Sequence, residues 1–336
     1  MMKGGVVRLL VLLAVAACAG ARNRPAHLVS HFFNEALLLP HWIRHHAPMF
    51  SSAILIDYNS TDGSAEIVRR LAPRSWKVVL SVDAEFDAAT LDQQVVSWEM
   101  AQPNAWRIAL TTTEFLIMPH MREKLAALDP GADGHRVLRF HSVIVVGDDA
   151  VPLNDEQPLV CQRAVFVEPQ RGLLLGAAPK TNKPFYDRFM HAGLGSNYDY
   201  EPGRHAMLGA VTAEENNLYS DTGLIFKYMW TPWPETRARK MQIGTKVSKS
   251  DRKAGSGVQH TAMERLTARK ADEYRNSALR GVERFDANGL ERELASSEWR
   301  RQHPIPKLAL ELFKSWACGE GLARGNSSRM ARNTPA

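Results

Sequence analysis

Short apolar runs alternate with amphipathic segments from residue 27 to residue 110, and this alternation constrains the fold more than any other feature of the chain. Residues 27–33 (HLVSHFF) read as a strand, and 40–46 as a helix opened by proline, whose fixed φ suits a first helical turn. Residues 53–56 (AILI) form a short apolar run of the kind a buried strand shows. The cluster DYNSTDGS, dense in turn and capping residues, then leads into a helix over 65–71. Residues 77–82 give a third strand, 88–100 a third helix and 106–110 a fourth strand. Such βαβ alternation predicts an α/β fold: a mainly parallel, Rossmann-like sheet flanked by helices. Past residue 137 the pattern loosens. Residues 137–146 and 159–168 read as further strands, 172–204 as a long loop rich in Gly, Pro and Asn, and 262–282 as the best helix of a polar C-terminal part.

In open α/β sheets, ligands bind outside the carboxyl ends of the strands. Those ends carry Asn34 and Glu35, then Asp57, then Asp83 and Glu85, then Thr111, Thr113 and Glu114. Parallel strands bring all of them to one edge, where carboxylates and amides suit ribose hydroxyls and base edges. Each has a plainer reading. Asp57 and Asp62 precede a helix, where Asp commonly caps, and Glu35 suits the first turn of a helix. His41 and His45 have the i,i+4 spacing of two zinc ligands, but no third ligand accompanies them.

The N-terminus carries a second signal. Lys3 and Arg8 precede an apolar run over 9–17 and the small residues Ala17-Cys18-Ala19-Gly20-Ala21. This is the pattern of a cleaved secretory leader, shorter than the roughly 20 apolar residues of a spanning helix. It predicts entry into the secretory pathway, with residence in the Golgi lumen or secretion. An uncleaved leader would serve as a membrane anchor, and Val15-Ala16-Ala17-Cys18 also has the look of a lipobox. Outside the leader stand only Cys161 and Cys318, whose pairing is left open. The net charge of +6 owes much to residues 237–253, RARKMQIGTKVSKSDRK, with seven basic residues against one acid. A local basic stretch suits an anionic substrate or a solvated face, and no nucleic-acid motif stands beside it. The expected organisation is a leader over 1–21, a main domain over 22–260, a helical extension over 261–320 and a disordered tail over 321–336.

FFNEALLLPHWIRHH followed by AILIDYNSTDGS resembles the opening of the glycosyltransferase family 2-like and family 92-like group. That group has an Asn-Glu pair, a Trp-x-x-His-His helix and an Asp-x-x-Ser-x-Asp-Gly loop in the same order. WRIALTTTEFLIMP is similar to its W-x-x-x-x-D-x-D-E-F-L strand and loop, and GAAPKTNKPF through His191 to a Lys-then-His stretch. The resemblance covers roughly residues 27–260. It implies a GT-A fold, a UDP- or GDP-linked nucleotide sugar as donor, a glycan or glycoprotein as acceptor, and transfer with inversion. By the same resemblance Asn34, Glu35, Asp57 and Asp62 serve the nucleotide.

This chain departs from the group at its metal site. The D-x-D pair, which binds Mn2+ or Mg2+ in metal-dependent members, is here Thr111 and Thr113, leaving only Glu114. LIFKYMWTPW resembles a segment where the group often carries His-Tyr, and the His position is Lys227. Two carboxylates lost and one lysine gained shift the local charge by about three units. The expectation is therefore a metal-independent transferase, with Lys227 and one or more of Arg237, Arg239 and Lys240 facing the diphosphate; Mn2+ or Mg2+ stays open should the threonine placement be wrong. Candidate general bases are Asp221, His191, Asp199 and Glu201, among which spacing does not choose. The alternative is a non-catalytic nucleotide- or glycan-binding protein on the same scaffold.

Overall fold

The computed structural model describes residues 24–131, 134–163, 165–167, 187–204, 206–212, 214–215, 220–279 and 284–286, together with 308, 311 and 312. The leader, the GAAPKTNKPF segment, His205, Cys318 and the tail lie outside these residues. Cys161 is disulfide-bonded.

The predicted alternation is present: strand β1 (Ala26–Phe32), helix α1 (Leu39–His46), β2 (Ser52–Asp57), α2 (Ser64–Leu71), β3 (Trp76–Leu80), α3 (Ala88–Met100) and β4 (Trp106–Ala109). These four strands are mutually parallel, β1 lying between β2 and β4 with β3 outside β2. Successive strand residues face opposite ways, and both faces of β1 are covered. Leu28 packs in a core with Leu39, Trp42 and Ile43 of α1, whereas Val29 joins Leu91, Val95 and Val96 of α3. That double burial is why β1 and β2 read as apolar runs rather than alternating ones.

The chain then continues through β5 (Glu114–Ile117), α4 (Met121–Ala127), β6 (Arg136–Phe140), β7 (Ser142–Val146), α5 (Leu159–Gln162), β8 (Val165–Val167), β9 (Arg188–Ala192), β10 (Tyr198–Tyr200), β11 (Met207–Gly209) and β12 (Leu224–Lys227). Helices α6 (Glu235–Lys246), α7 (Lys249–Ala254), α8 (Val258–Arg265) and α9 (Ala268–Ala278) follow, and last β13 (Arg284–Asp286). The main sheet has the order β3-β2-β1-β4-β9-β6, with β9 antiparallel to both neighbours. A second sheet runs β13-β8-β7-β12-β5, and β10 pairs with β11.

Four expected elements are corrected, the first being the loop over 172–204, whose described residues carry the strands β9 and β10. The run 137–146 is two strands, because the chain leaves the main sheet after β6 and enters the second sheet with β7. The run 159–168 opens as the short helix α5, started after Pro158, and only β8 is extended. The helix expected over 262–282 is two, α8 and α9, parted where Thr267 caps α9 by accepting from the Lys270 N–H. Helix α8 spans residues 260 and 261 and packs against α6 at Gly244. A Cβ at Gly244 would stand 2.7 Å from the His260 carbonyl oxygen and 2.8 Å from Cβ of Glu264, so the helices meet there without a side chain between them. No described helix is long and apolar enough to cross a membrane.

Candidate functional site

A cleft of about 410 Å³ opens at the carboxyl ends of β1 and β4 and is closed on the far side by α6, α7 and the start of α8. Its lining comes from distant parts of the chain: Phe33 and Glu35 after β1, Phe86 to Asp92 at the start of α3, Thr111 to Thr113 after β4, then Arg188, Arg204, Lys227, Arg239, Lys240 and residues 255–260. Parallel strands deliver the first groups to this edge. The remaining groups arrive from elements that the βαβ alternation does not announce.

The first two loops are laced to each other. Asn34, with φ of 52°, donates its N–H to Ser60 Oγ, and its Oδ1 accepts from the Thr61 N–H at 2.8 Å. Asp62 accepts from the Ala36 N–H through Oδ2 and from the Ser64 N–H and hydroxyl through Oδ1. Asp57 accepts from the Ser60 N–H and hydroxyl at 2.9 and 2.7 Å. Asn34, Asp57 and Asp62 thus hold the shape of the loops, and none of the three lines the cleft. Glu35 does line it. Its N–H donates to Ser64 Oγ, and its Oε1 accepts from Arg239 across the cleft. Burial raises the Glu35 carboxyl from its ordinary value against the pull of Arg239.

After β4, the Thr111 and Thr113 hydroxyls bond each other at 3.0 Å. Glu114 beside them is fully buried. Its Oε1 accepts from Lys227 at 2.7 Å and from Arg188 at 2.7 Å, and its Oε2 from Arg188 Nε and the Thr111 N–H at 2.8 Å each. Trp42 of α1 steadies this turn, its indole N–H donating to the carbonyls of Thr111 and Glu114. Burial alone would push the Glu114 carboxyl up, yet Arg188 and Lys227 hold it well below the usual carboxylate range. Burial brings Lys227 down to about 8, Glu114 opposing the shift.

The other cations differ in how they are held. Arg204 pairs with Asp92, which also accepts from the Gly203 N–H at 2.8 Å. Arg237, half-buried, pairs with Asp272 and lies off the cleft. Lys240 is 2% exposed and has neither hydrogen-bond nor ion-pair partner among the described residues; its Nζ lies 4.6 Å over the ring of Trp230. Burial, then Arg239 and Lys227, depress its ammonium well below the ordinary lysine value. On another wall Asp87 caps α3 and accepts from Ser248 and Ser250, the latter bond first among those that hold it at about 2. Half-exposed Asp251 is raised by burial and accepts from the Ala88 N–H.

None of the four expected bases, Glu201 included, lines the cleft. His191 is in the middle of β9, fully buried, its Nε2 3.6 Å from a Glu99 oxygen, and Tyr198 and Tyr200 donate to the same carboxylate. Asp199 and Asp221 are exposed and off the cleft. His45 directs Nε2 at the Leu116 carbonyl, and among the described residues no group of three His, Cys, Asp or Glu has the arrangement of a metal site.

Sequence reasoning misses Arg188, Asp92 and the Gly255-Ser256-Gly257 turn, and gives Arg204 a structural reading. The turn does carry a signal, two glycines just ahead of a helix, which its place at the end of the basic stretch masks.

No family model matches the chain, and no curated protein matches it. Among solved structures, the mannosyltransferase PcManGT from Pyrobaculum calidifontis, in complex with GDP-Man and Mn2+, is 12% identical, with a TM-score of 0.33 over 90% of this chain and 92% of that one. A likeness that distant assigns no residue of the cleft.

Proposed function

We propose that the chain is a glycosyltransferase that uses a nucleotide-sugar donor, with fixed cations standing where the enzymes it resembles hold a divalent metal. The observation that carries this reading is the Glu114 carboxylate with Arg188 and Lys227 bound to its oxygens. A divalent cation at that position needs several anionic or carbonyl oxygens with free lone pairs. Here two hydroxyls bond each other and the single carboxylate accepts from three donors, so these residues do not fit Mn2+ or Mg2+.

The cleft supplies the remaining requirements of the chemistry. Phe33, Phe86, Leu91 and Ile243 make an apolar wall suited to a nucleobase, with the Phe33 and Phe86 rings edge to face at 6.1 Å. Transfer breaks the bond between the sugar's anomeric carbon and the diphosphate oxygen, and the acceptor hydroxyl forms the new one. The leaving diphosphate takes the electron pair, and Lys240, Arg239 and Lys227 offset its growing charge. The hydroxyl proton passes to a carboxylate in the cleft. Asp251, half-exposed and with raised basicity, suits that role better than His191, Asp199 or Asp221. The acceptor class, a glycan or glycoprotein, belongs to the same proposal.

Calorimetric titration of UDP and GDP into the purified protein, first with EDTA and then with Mn2+, tests the reading. Donors that bind are then screened for release of nucleoside diphosphate. Binding that survives EDTA, followed by turnover, is the expected outcome. Binding only with Mn2+ would overturn the replacement of metal by fixed cations. Binding without turnover of any donor would assign the non-catalytic alternative, and no binding at all would remove the nucleotide reading.

A further inference from the structure

One part of the cleft has a feature that neither the motif resemblance nor the Glu114 cluster explains: a buried lysine and the bare start of a helix line it together. Helix α8 begins after Gly257, which gives it no side-chain cap. The first N–H groups of any helix lack intrahelical acceptors, and the helix dipole makes that end favourable to anions. Here the N–H groups of Gly257, Val258 and Gln259 have no acceptor among the described residues. Gly255 and Gly257 both have positive φ, 76° and 64°, so the turn curls its amides inward as other backbone anion nests do. Lys240 is the independent observation. It is buried, it has no ion-pair partner among the described residues, and it lines the same cleft as residues 255–260.

We infer that the Gly255–Gly257 turn, the first turn of α8 and the Lys240 ammonium form a phosphate cradle that holds the terminal phosphate of the donor's diphosphate. The inference rests on the nucleotide-sugar reading for the identity of the donor, but the cradle is a site for a phosphate group in its own right. A helix start with free amides binds phosphate oxygens directly, and a lysine adds a charged donor. His260 completes the wall. Its Nδ1 is buried without a hydrogen-bond partner among the described residues, and burial with the nearby Lys240, Arg239 and Lys227 keeps the ring neutral. The groups whose charge acts on Lys240 are Arg239, Lys227 and Glu35, and Glu35 is already engaged by Arg239. A phosphate would therefore bring Lys240 its first direct counter-charge.

The test uses inorganic pyrophosphate titrated into the full chain by calorimetry in EDTA. Saturable binding is expected. Lys240→Met should weaken it about tenfold or more. Gly257→Ala changes no buried side chain but strains a backbone with φ of 64°, and should weaken binding as well. No saturable binding in the native protein, or pyrophosphate affinity indifferent to both variants, would overturn the cradle. Donor turnover with such indifference leaves the transferase standing without it. Binding that needs Lys240 and Gly257, in a protein that turns over no donor, leaves the cradle standing and removes the transferase.

Discussion

Lys227 and Glu114 are directly opposed residues of the antiparallel strands β12 and β5, and the register of the second sheet brings Lys227 Nζ to 2.7 Å from Glu114 Oε1. The pair is structural, because removing one partner of a buried ion pair strands the other. Glu114→Gln, which leaves Lys227 and Arg188 without their anion, should cost about 3 kcal/mol or more in urea unfolding. Adding Lys227→Met to it should restore part of that loss. Additive losses in the double variant would mean that the two side chains do not act as a unit.

The same lysine gives a stability profile with a definite sign. Its folded value of about 8 lies below the ordinary lysine value of about 10.5, so between these limits the unfolded chain binds more protons. Stability should rise with pH through that window, and Lys227→Met should lose the part of the rise that Lys227 contributes. Unfolding midpoints in urea at pH 7.5 and 9.5, compared between the two proteins, give the answer. Glu114 acts at the other end. Its depressed carboxyl contributes stability that is present above the ordinary carboxylate range and is lost as pH falls through its folded value.

Asp62 and His191 separate structural from catalytic roles. Asp62→Ala removes the bonds to Ala36 and Ser64 and should cost about 1–2 kcal/mol in stability. Its effect on nucleotide affinity should be smaller than that of Lys240→Met. The reverse order would place Asp62 on the nucleotide.

His191 belongs to a buried polar cluster with Glu99, Tyr198 and Tyr200. His191→Gln should lower the unfolding midpoint while leaving turnover per folded molecule within about twofold, since the histidine lies off the cleft. A loss of turnover of 100-fold in a folded variant would return His191 to the chemistry.

Much of this architecture was legible in the residues. Strands buried on both faces, such as β1 and β2, announce themselves as apolar runs, and turn clusters such as DYNSTDGS mark their ends. Glu114 and Lys227 were both singled out by their residue types, and the register of β12 on β5 sets them opposite each other. Other parts were not. Arg188 opens a strand that enters the main sheet from far along the chain, and nothing local marks its approach to Glu114. Asp57 and Asp62 have the side chains of ligand-binding residues, but Asp57 Oδ1 and both Asp62 oxygens accept from neighbouring loop groups, a competition that one-dimensional spacing does not reveal. Lys240 sits in a run of basic residues and is distinguished from them only by its burial.

The crossing of α6 and α8 at Gly244 has a further consequence. Lys240 rides on one helix and the bare amides on the start of the other, so the gauge of the gap between them is set by a single hydrogen atom. A methyl group there would act as a shim and wedge the two rails apart. The reach of a phosphate between ammonium and amide would then change, although no residue touching the phosphate had been replaced.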